Sequence, residues 1–157
     1  MDKNFIKNVC IKAPGIAIGS GGKTTFSFAN AFIARANGIF SIAATPADAP
    51  ALTAAVNAAG SIPTTLAIDY CRVYTLLASV SATGALAYSL VVGEDFPETR
   101  SMKMSDINFG DVSNKEKVAV GFMLLVNTTN VFTPGTTAVD AAGVTATYID
   151  NYGFIGA

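Results

Sequence analysis

The stretch between Lys117 and Asp150 limits the fold of this chain more than any other. Its first part, Val118 to Val126, is a nearly continuous apolar run that is too short to cross a membrane. The many branched residues in this run indicate a strand buried on most of its surface. After the polar and Thr-Pro-Gly segment at 127–135, Val144 to Ile149 returns to the alternation of a second strand. The pattern predicts a long-looped β-hairpin, and it contains no obvious nucleophile, proton donor or metal cage.

A second hairpin is predicted nearer the N-terminus. Phe26, Phe28 and Phe32 alternate with small residues, which places the three rings on one face of a strand. Asn37-Gly38 then supplies residues that tolerate positive φ, and Ile39 to Ile42 resumes the apolar run. A strand, a tight turn and a second strand account for this pattern.

A third hairpin is predicted from Leu66 to Val92. It has a long strand as far as Val80, a turn at Ser81 to Gly84, and a partner strand in which apolar residues alternate with small ones. Arg72 lies on the apolar face of the long strand. We interpret it as a partly buried arginine that extends past or stacks on the neighbouring tyrosines, with a functional arginine as the alternative.

The remaining segments are less regular. Thr45 to Pro63 is rich in alanine and predicts either a short helix capped by Asp48 or an irregular connection. Gly93 to Lys117 mixes charges of both signs without a period, which is typical of a solvated loop. Strands at regular spacing therefore predict an all-β fold: an antiparallel sandwich or small barrel of about six to eight strands, with at most one short helix.

The first 24 residues differ from the rest. Short apolar patches alternate with Lys12, Pro14, Gly15 and the run Gly19-Ser20-Gly21-Gly22. This composition indicates an extended N-terminal arm, residues 1–24, ahead of a β-domain at residues 25–157. Such an arm would order when it lies along a partner.

Composition favours a protein that works inside an assembly. Charged residues make up 13% of the 157-residue chain and hydrophobic residues 51%, with alanine prominent. Flat surfaces of small residues pack well against other subunits. The net charge of −1 gives no field for phosphates, so no nucleic-acid partner is expected. The lysines at 3, 7 and 12 interrupt any signal peptide, and no segment is long enough to span a bilayer, so synthesis in a cytoplasm and no membrane association are expected.

Motifs for chemistry are weak. The chain has no histidine, which excludes Ser-His-Asp, Cys-His and His-based zinc sites. Cys10 and Cys71 match no metal or redox spacing and are interpreted as buried, reduced side chains. The carboxylates Glu94, Asp95 and Glu98 are interpreted as a solvated turn instead of an acid–base or Ca²⁺ site. No catalytic, cofactor-binding or metal residues are predicted, and the chain is not expected to be an enzyme.

One formal motif remains. Ala17 to Thr24 fits a relaxed P-loop with alanine for the first glycine, and Leu66 to Asp69 could imitate a Walker B strand. A P-loop needs a buried strand before it and a helix after it. Only Ile16 to Ile18 is available for the strand, and the residues that follow alternate with period two. A small P-loop NTPase is therefore kept only as a distant alternative.

The C-terminal hairpin carries a resemblance. The resemblance lies in Phe132 to Thr137, Asp140 and Gly143 to Tyr148, and in the preceding glycine-containing strand Val118 to Phe122. The sequence of these segments resembles a hairpin found in small virion structural proteins of tailed bacteriophages. The likeness extends more weakly to the two other hairpins. It implies a head decoration, head-fibre or related capsid-surface component, commonly oligomeric and often trimeric, and it brings no catalytic residues.

We therefore expect a non-enzymatic virion protein that binds the major capsid protein at the capsid surface and associates with its own copies. A tail or baseplate component that binds host glycans through Tyr70, Tyr74 and Tyr88 is the first alternative.

Overall fold

A computed structural model describes residues 8–19, 25–36, 38–43, 47–57, 60–62, 65–98 and 117–151. In this part of the chain the protein is all-β, and eleven strands form three antiparallel sheets. The sheets are arranged as a sandwich and form no closed barrel. In chain order the strands are β1 (Val9–Ile11), β2 (Ile16–Ile18), β3 (Thr25–Phe28), β4 (Phe32–Ala36), β5 (Ile39–Ala43), β6 (Ala47–Ala51), β7 (Tyr70–Val80), β8 (Leu86–Val92), β9 (Phe96–Pro97), β10 (Lys117–Asn127) and β11 (Val144–Asp150).

The predicted all-β antiparallel architecture is confirmed. The strands outnumber the prediction because β1, β2 and β6 are short and lie in segments with weak local strand signals. β6 includes Asp48, so the alanine-rich segment holds a strand and the 3₁₀ turn Leu52–Ala54 where the sequence suggested a capped helix or an irregular connection. Pairing with β3 outweighs the helical preference of alanine there. Within the described ranges, no helix is long and apolar enough to cross a bilayer.

The hairpin predicted between Lys117 and Asp150 forms one side of the largest sheet, with β10 inside the sheet and β11 at its edge. The strand order is β11-β10-β7-β8, with β9 also paired to β7. β10 and β11 pair from Gly121↔Asp150 to Asn127↔Val144, which confirms the hairpin. β7 lies on the other side of β10. β10 has a strand on each edge, and along it the buried core residues Val120, Met123 and Leu125 alternate with apolar residues that are half-buried.

The hairpin of β7 and β8 is also confirmed. β7 begins at Tyr70 and not at Leu66, because Asp69 has a φ of +62° and turns the chain. Leu66 instead forms an isolated antiparallel bridge with Phe132 in the β10–β11 loop. That bridge joins two loops at one end of the sandwich.

The three phenylalanines of the second predicted hairpin are all buried in the core, but they do not lie on one strand. The chain breaks at Ala29-Asn30, so that β3 belongs to the β2-β3-β6 sheet and β4 to the β1-β4-β5 sheet. The amides of Ala29 and Asn30 donate to the carbonyls of Gly15 and Pro14. The pairs β1–β4 and β2–β3 therefore form one bent hairpin that passes from one sheet to the other.

The turn predicted at Asn37-Gly38 lies between β4 and β5. The two strands pair from Phe32↔Ala43 to Ala36↔Ile39, and Gly38 has a φ of +78°. Asn37 itself lies outside the described residues, whereas the hairpin that it was expected to form is confirmed by the pairing.

The prediction of an extended N-terminal arm is wrong for residues 9–18. β1 pairs with β4 and β2 pairs with β3, and both Cys10 and Ile16 are buried in the core. Pro14 and Gly15, which the sequence marks as a break, form the bend at which the hairpin changes sheets. β1 and β2 each have three residues, which is too short for the sequence alone to indicate a strand. Each forms a strand because it pairs with a partner strand. Residues 1–7 and 20–24 of the predicted arm, and 99–116 of the predicted loop, lie outside the described residues.

Cys10 and Cys71 are free and buried, as the sequence predicts. Burial, with a smaller contribution from Asp150, raises the pKa of the Cys10 thiol from 9.0 to about 12. Burial, and then the charge of Glu98, raises the pKa of Cys71 to about 11. Both thiols therefore keep their protons in the folded protein at pH values where exposed thiols lose them.

We expect the free energy of unfolding to fall as the pH rises above about 9. The unfolded thiols ionise there and the folded ones do not, so the unfolded state binds fewer protons and alkali favours it. The contribution of the two buried, protonated thiols to the free energy of unfolding is complete below this pH and is lost as the pH rises through their folded pKa values. Urea titrations at about pH 8 and pH 10.5 measure the loss, and Cys10→Ala should make it smaller. An equal pH dependence in this variant would contradict the assignment to Cys10.

Candidate interaction surface

β5 is an edge strand without protection. It ends the β1-β4-β5 sheet, and no described strand pairs with its outer edge. Phe40 and Ile42 on this strand are 54% and 73% exposed. Proteins usually protect such an edge with a charge, a proline or a bulge. β5 reads IFSIA and pairs with β4 in a regular register, so it has none of these features.

The outward face of the same sheet is almost entirely apolar. Cys10 and Ala34 belong to the core, so their neighbours on β1 and β4 point outward. The register aligns the outward residues in two rows across the three strands. We call this set the β5 face, and it consists of Val9, Arg35 and Phe40 in one row and Ile11, Ile33 and Ile42 in the other.

Arg35 is the single charged residue of the β5 face. It is 5% exposed, and its guanidinium carbon lies 5.2 Å from the centroid of the Phe40 ring. The ring covers the cation, and the cation–π contact stabilises this arrangement. The β5 face therefore presents mainly carbon to the outside, which is characteristic of protein–protein contact surfaces.

Other described edges differ from β5. β6 contains Asp48 and Pro50. The edge of β8 is partly covered, because Val56 pairs in parallel with Val91 and exchanges backbone hydrogen bonds with β8. β11 carries Asp150, whose carboxylate accepts a 2.8 Å hydrogen bond from the amide of Ile16 on β2. Among these edges, β5 combines the most exposed side chains with the least protection.

A second set of exposed apolar side chains lies where β7 begins. Ile68 is 44% exposed, Tyr70 37% and Val131 53%. The Leu66–Phe132 bridge brings their two loops together. We call Ile68, Tyr70 and Val131 the rim patch. It adjoins the polar segment 128–137.

The β5 face and the rim patch lie toward opposite ends of β7. The hydroxyl of Ser41 on β5 donates a 2.6 Å hydrogen bond to the carbonyl of Gly84, in the turn that follows β7. The rim patch lies at the start of β7, which has 11 residues. At about 3.3 Å per residue the strand is roughly 33 Å long. The described part of the chain thus carries the β5 face and the rim patch as separate apolar surfaces.

Arg72 holds the loops behind the rim patch. It is 1% exposed, and its Nε and Nη2 donate to the two carboxylate oxygens of Asp95 at 2.6 and 2.8 Å. Nη2 also donates to the carbonyl of Thr65, and Nη1 to the hydroxyl of Tyr74. Burial lowers the pKa of Arg72, but the bonds to Asp95 and Tyr74 outweigh it and the net direction is upward. The side chain is a structural anchor, more deeply buried than the partly buried arginine that the sequence predicted.

Sequence reasoning missed Asp95 as the partner of Arg72 and placed it in a solvated turn. The two residues are 23 positions apart in different elements, and no local pattern links them. Asn127 adds a second anchor, because its amide donates to the carbonyls of Leu66 and Ala67. Together the two side chains fix the 65–69 loop on the sheet.

The three tyrosines proposed for glycan binding are not brought together on the surface. Tyr74 is buried, and the ring of Tyr88 packs against Phe28 with centroids 5.3 Å apart. Tyr70 alone is exposed. The structure does not form the predicted stacking platform.

The residues considered for chemistry are also dispersed. The element that follows the P-loop-like segment is the strand β3, and Asp69 of the Walker-B-like segment lies in a turn. Residues 20–24 of the P-loop-like segment lie outside the described residues. Asp95 is paired with Arg72, whereas Glu94 and Glu98 are exposed. In the described ranges, no three of the residue types His, Cys, Asp and Glu are grouped in a way that could hold a metal ion.

A cleft of about 360 Å³ lies beside β11. The hydroxyl of Tyr148 is buried there and has no hydrogen-bond partner among the described residues. Burial, and then the charge of Asp140, raises the pKa of Tyr148 to about 12. The cleft combines apolar walls with a few polar groups, and its lining residues are Ile18, Val139, Asp140, Val144, Thr145, Ala146 and Tyr148.

The fold and these surfaces define a class: an all-β sandwich with an unprotected apolar sheet edge and no recognisable chemical centre in its described residues. In comparisons with known proteins, no family model, curated protein or solved structure matches the chain.

Proposed function

We propose that this chain is a non-enzymatic structural protein of a tailed-bacteriophage virion, located on the capsid surface as a decoration or head-fibre component. It binds the major capsid protein and associates with its own copies, and it has no nucleic-acid or membrane partner. The proposal rests on the resemblance of the C-terminal hairpin and on the surfaces described above. The β5 face carries it, because a monomer gains nothing from keeping Phe40 and Ile42 exposed on an edge strand.

The two apolar surfaces suit a protein that makes two kinds of contact. In the proposed arrangement, one surface contacts another copy and the other contacts the capsid. We assign the capsid contact to the rim patch, since Arg72 and Asn127 hold its 65–69 loop on the sheet and the Leu66–Phe132 bridge joins the loop of Val131 to it. A rigid, preorganised loop loses little conformational entropy on binding.

Binding to purified capsids tests this assignment. Wild-type protein should cosediment with capsids to a constant number of copies per particle. Val131→Asp should weaken binding by about tenfold or more, because burying an unpaired charge is unfavourable. Ile62→Asp, at an isoleucine that is 57% exposed outside any strand, is the matched control and should bind normally. Equal binding by both variants would remove the rim patch from the contact.

Mass spectrometry of purified virions tests the proposal as a whole. We expect the chain in particles of the phage that encodes it, at roughly hundreds of copies, as a shell with many equivalent sites requires. About a dozen copies would place it in the tail. Its absence from virions would overturn the proposal.

A tail component that binds host glycans is the second candidate, and the cleft beside β11 favours it. Sugar hydroxyls would find an acceptor in Asp140 and a free phenol in Tyr148, between apolar walls. Retention of a glycan on an array, lost in Tyr148→Phe while this variant stays folded, would support this candidate. Absence of retention on the array would count against it.

A further inference from the structure

We propose that two copies of this chain pair through β5, antiparallel across a two-fold axis, so that their β1-β4-β5 sheets form one continuous six-stranded sheet. This inference specifies the self-association in the proposed function and rests on it. It names a surface, a symmetry and a register, none of which follows from the hairpin resemblance.

The first argument is the state of the edge. β5 offers an unpaired backbone edge in the described part of the chain, and the residues that usually prevent edge pairing are missing from it. Extending a sheet satisfies this backbone with main-chain hydrogen bonds. A second β5 is suited to pair with it, since both strands are short, regular and uncharged.

The second argument is self-complementarity. Pairing centred on Ser41, the middle residue of β5, gives the greatest overlap of the two strands. It places Phe40 directly opposite Ile42 of the partner subunit, and Ile42 opposite the partner subunit's Phe40. The two most exposed large side chains of the sheet would then cover each other on the same face, as a two-fold contact requires.

The third argument is charge. Arg35 is the single cation on the β5 face, and it lies one strand inside the edge beneath the Phe40 ring. In the paired sheet the two Arg35 side chains are separated by three strand spacings, about 14 Å. This exceeds the screening length of about 8 Å at physiological salt. Self-pairing therefore brings no like charges together.

The contact is small. β5 has five residues, and beyond them the β5 face adds only three half-buried apolar side chains, Val9, Ile11 and Ile33. A standard interface covers about 800 Å² on each partner, and this contact lies below that size. We therefore expect a dissociation constant in the micromolar range in solution, which binding of many copies to one particle would strengthen in effect.

Sedimentation velocity of the full chain from about 5 to about 500 µM tests the pairing. We expect a monomer–dimer equilibrium. Ile42→Lys adds the kind of charge that protects natural edges and should weaken dimerisation at least tenfold. Ile62→Lys makes the same change at an exposed isoleucine outside any strand and should leave the dimer unchanged. Circular dichroism confirms that both variants fold.

Cysteine cross-linking tests the register. A mixture of Phe40→Cys and Ile42→Cys should form a mixed disulfide dimer, whereas each variant alone should cross-link poorly. The native thiols of Cys10 and Cys71 are buried and do not compete.

The outcomes separate this inference from the function it deepens. A monomer at all concentrations, or a dimer that Ile42→Lys leaves intact, overturns β5 pairing. A wild-type trimer overturns the two-fold pairing and leaves the proposed oligomer standing. A dimer that fails to bind capsids supports the pairing and overturns the proposed capsid role.

Discussion

Asp95→Ala is expected to destabilise the fold by about 3 kcal/mol, because it leaves a buried arginine without its counter-ion. Arg72 is 1% exposed, and both of its hydrogen bonds to Asp95 are lost in this variant. The carboxylate is one-third exposed, so water entering from that side offsets part of the loss. Urea unfolding followed by circular dichroism measures the change.

Glu94→Ala is the matched control. Glu94 precedes Asp95 in the same loop and is exposed, so its replacement should change the free energy of unfolding by less than about 0.5 kcal/mol. Arg72→Met is a second test of the mechanism. It removes the buried charge and leaves Asp95 able to reach water, so we expect a smaller loss than in Asp95→Ala. A larger loss would show that the bonds of Arg72 to Thr65 and Tyr74 matter more than the charge.

Gly121→Ala is expected to cost about 2 kcal/mol, because the side chain of Ile16 and the backbone of β11 leave no room for a side chain at this position. A Cβ on residue 121 would overlap Cδ1 of Ile16 and would lie 2.9 Å from the carbonyl oxygen of Ile149. The carbonyl belongs to a paired backbone and moves less readily than a side chain. Gly121 also marks the register shift between β10 and β7.

A double-mutant cycle with Ile16→Val assigns the cause. Valine lacks the Cδ1 atom, so the double variant should lose less stability than the sum of the two single variants. The contact with the Ile149 carbonyl remains, so the rescue should be partial. Strict additivity would show that the overlap with Ile16 is not the cause, and an unchanged stability in Gly121→Ala would show that the strands can separate at low cost.

The glycine at 121 illustrates how far the sequence leads. It appears as part of the pattern that introduces the C-terminal hairpin, but the sequence offers no reason for it. The reason is the side chain of Ile16 on β2, which occupies the space beside Gly121 and belongs to a segment more than one hundred residues earlier in the chain. Close approach between distant segments leaves no local signal.

The hairpins were predictable because their information is local. The β7–β8 and β10–β11 pairs follow from alternation and from turn residues within one stretch, and β4–β5 from its turn. The sheet change at Ala29-Asn30 was not predictable, since the alternation of Phe26, Phe28 and Phe32 continues across it without interruption. All three rings reach the core on either path, so burial alone does not distinguish one strand from two.

The candidate surface shows the same division. Ile39 to Ala43 is recognisable as a strand, and its alternation places Phe40 and Ile42 on one side. Whether that side is covered depends on which elements fold against it, and the pattern of this strand alone does not decide it. The sequence by itself determined an all-β chain, its main turns and the absence of histidine chemistry. Only the tertiary structure decided which apolar faces became core and which stayed open, because period-two alternation assigns residues to a face, whereas covering that face requires strands distant in the chain.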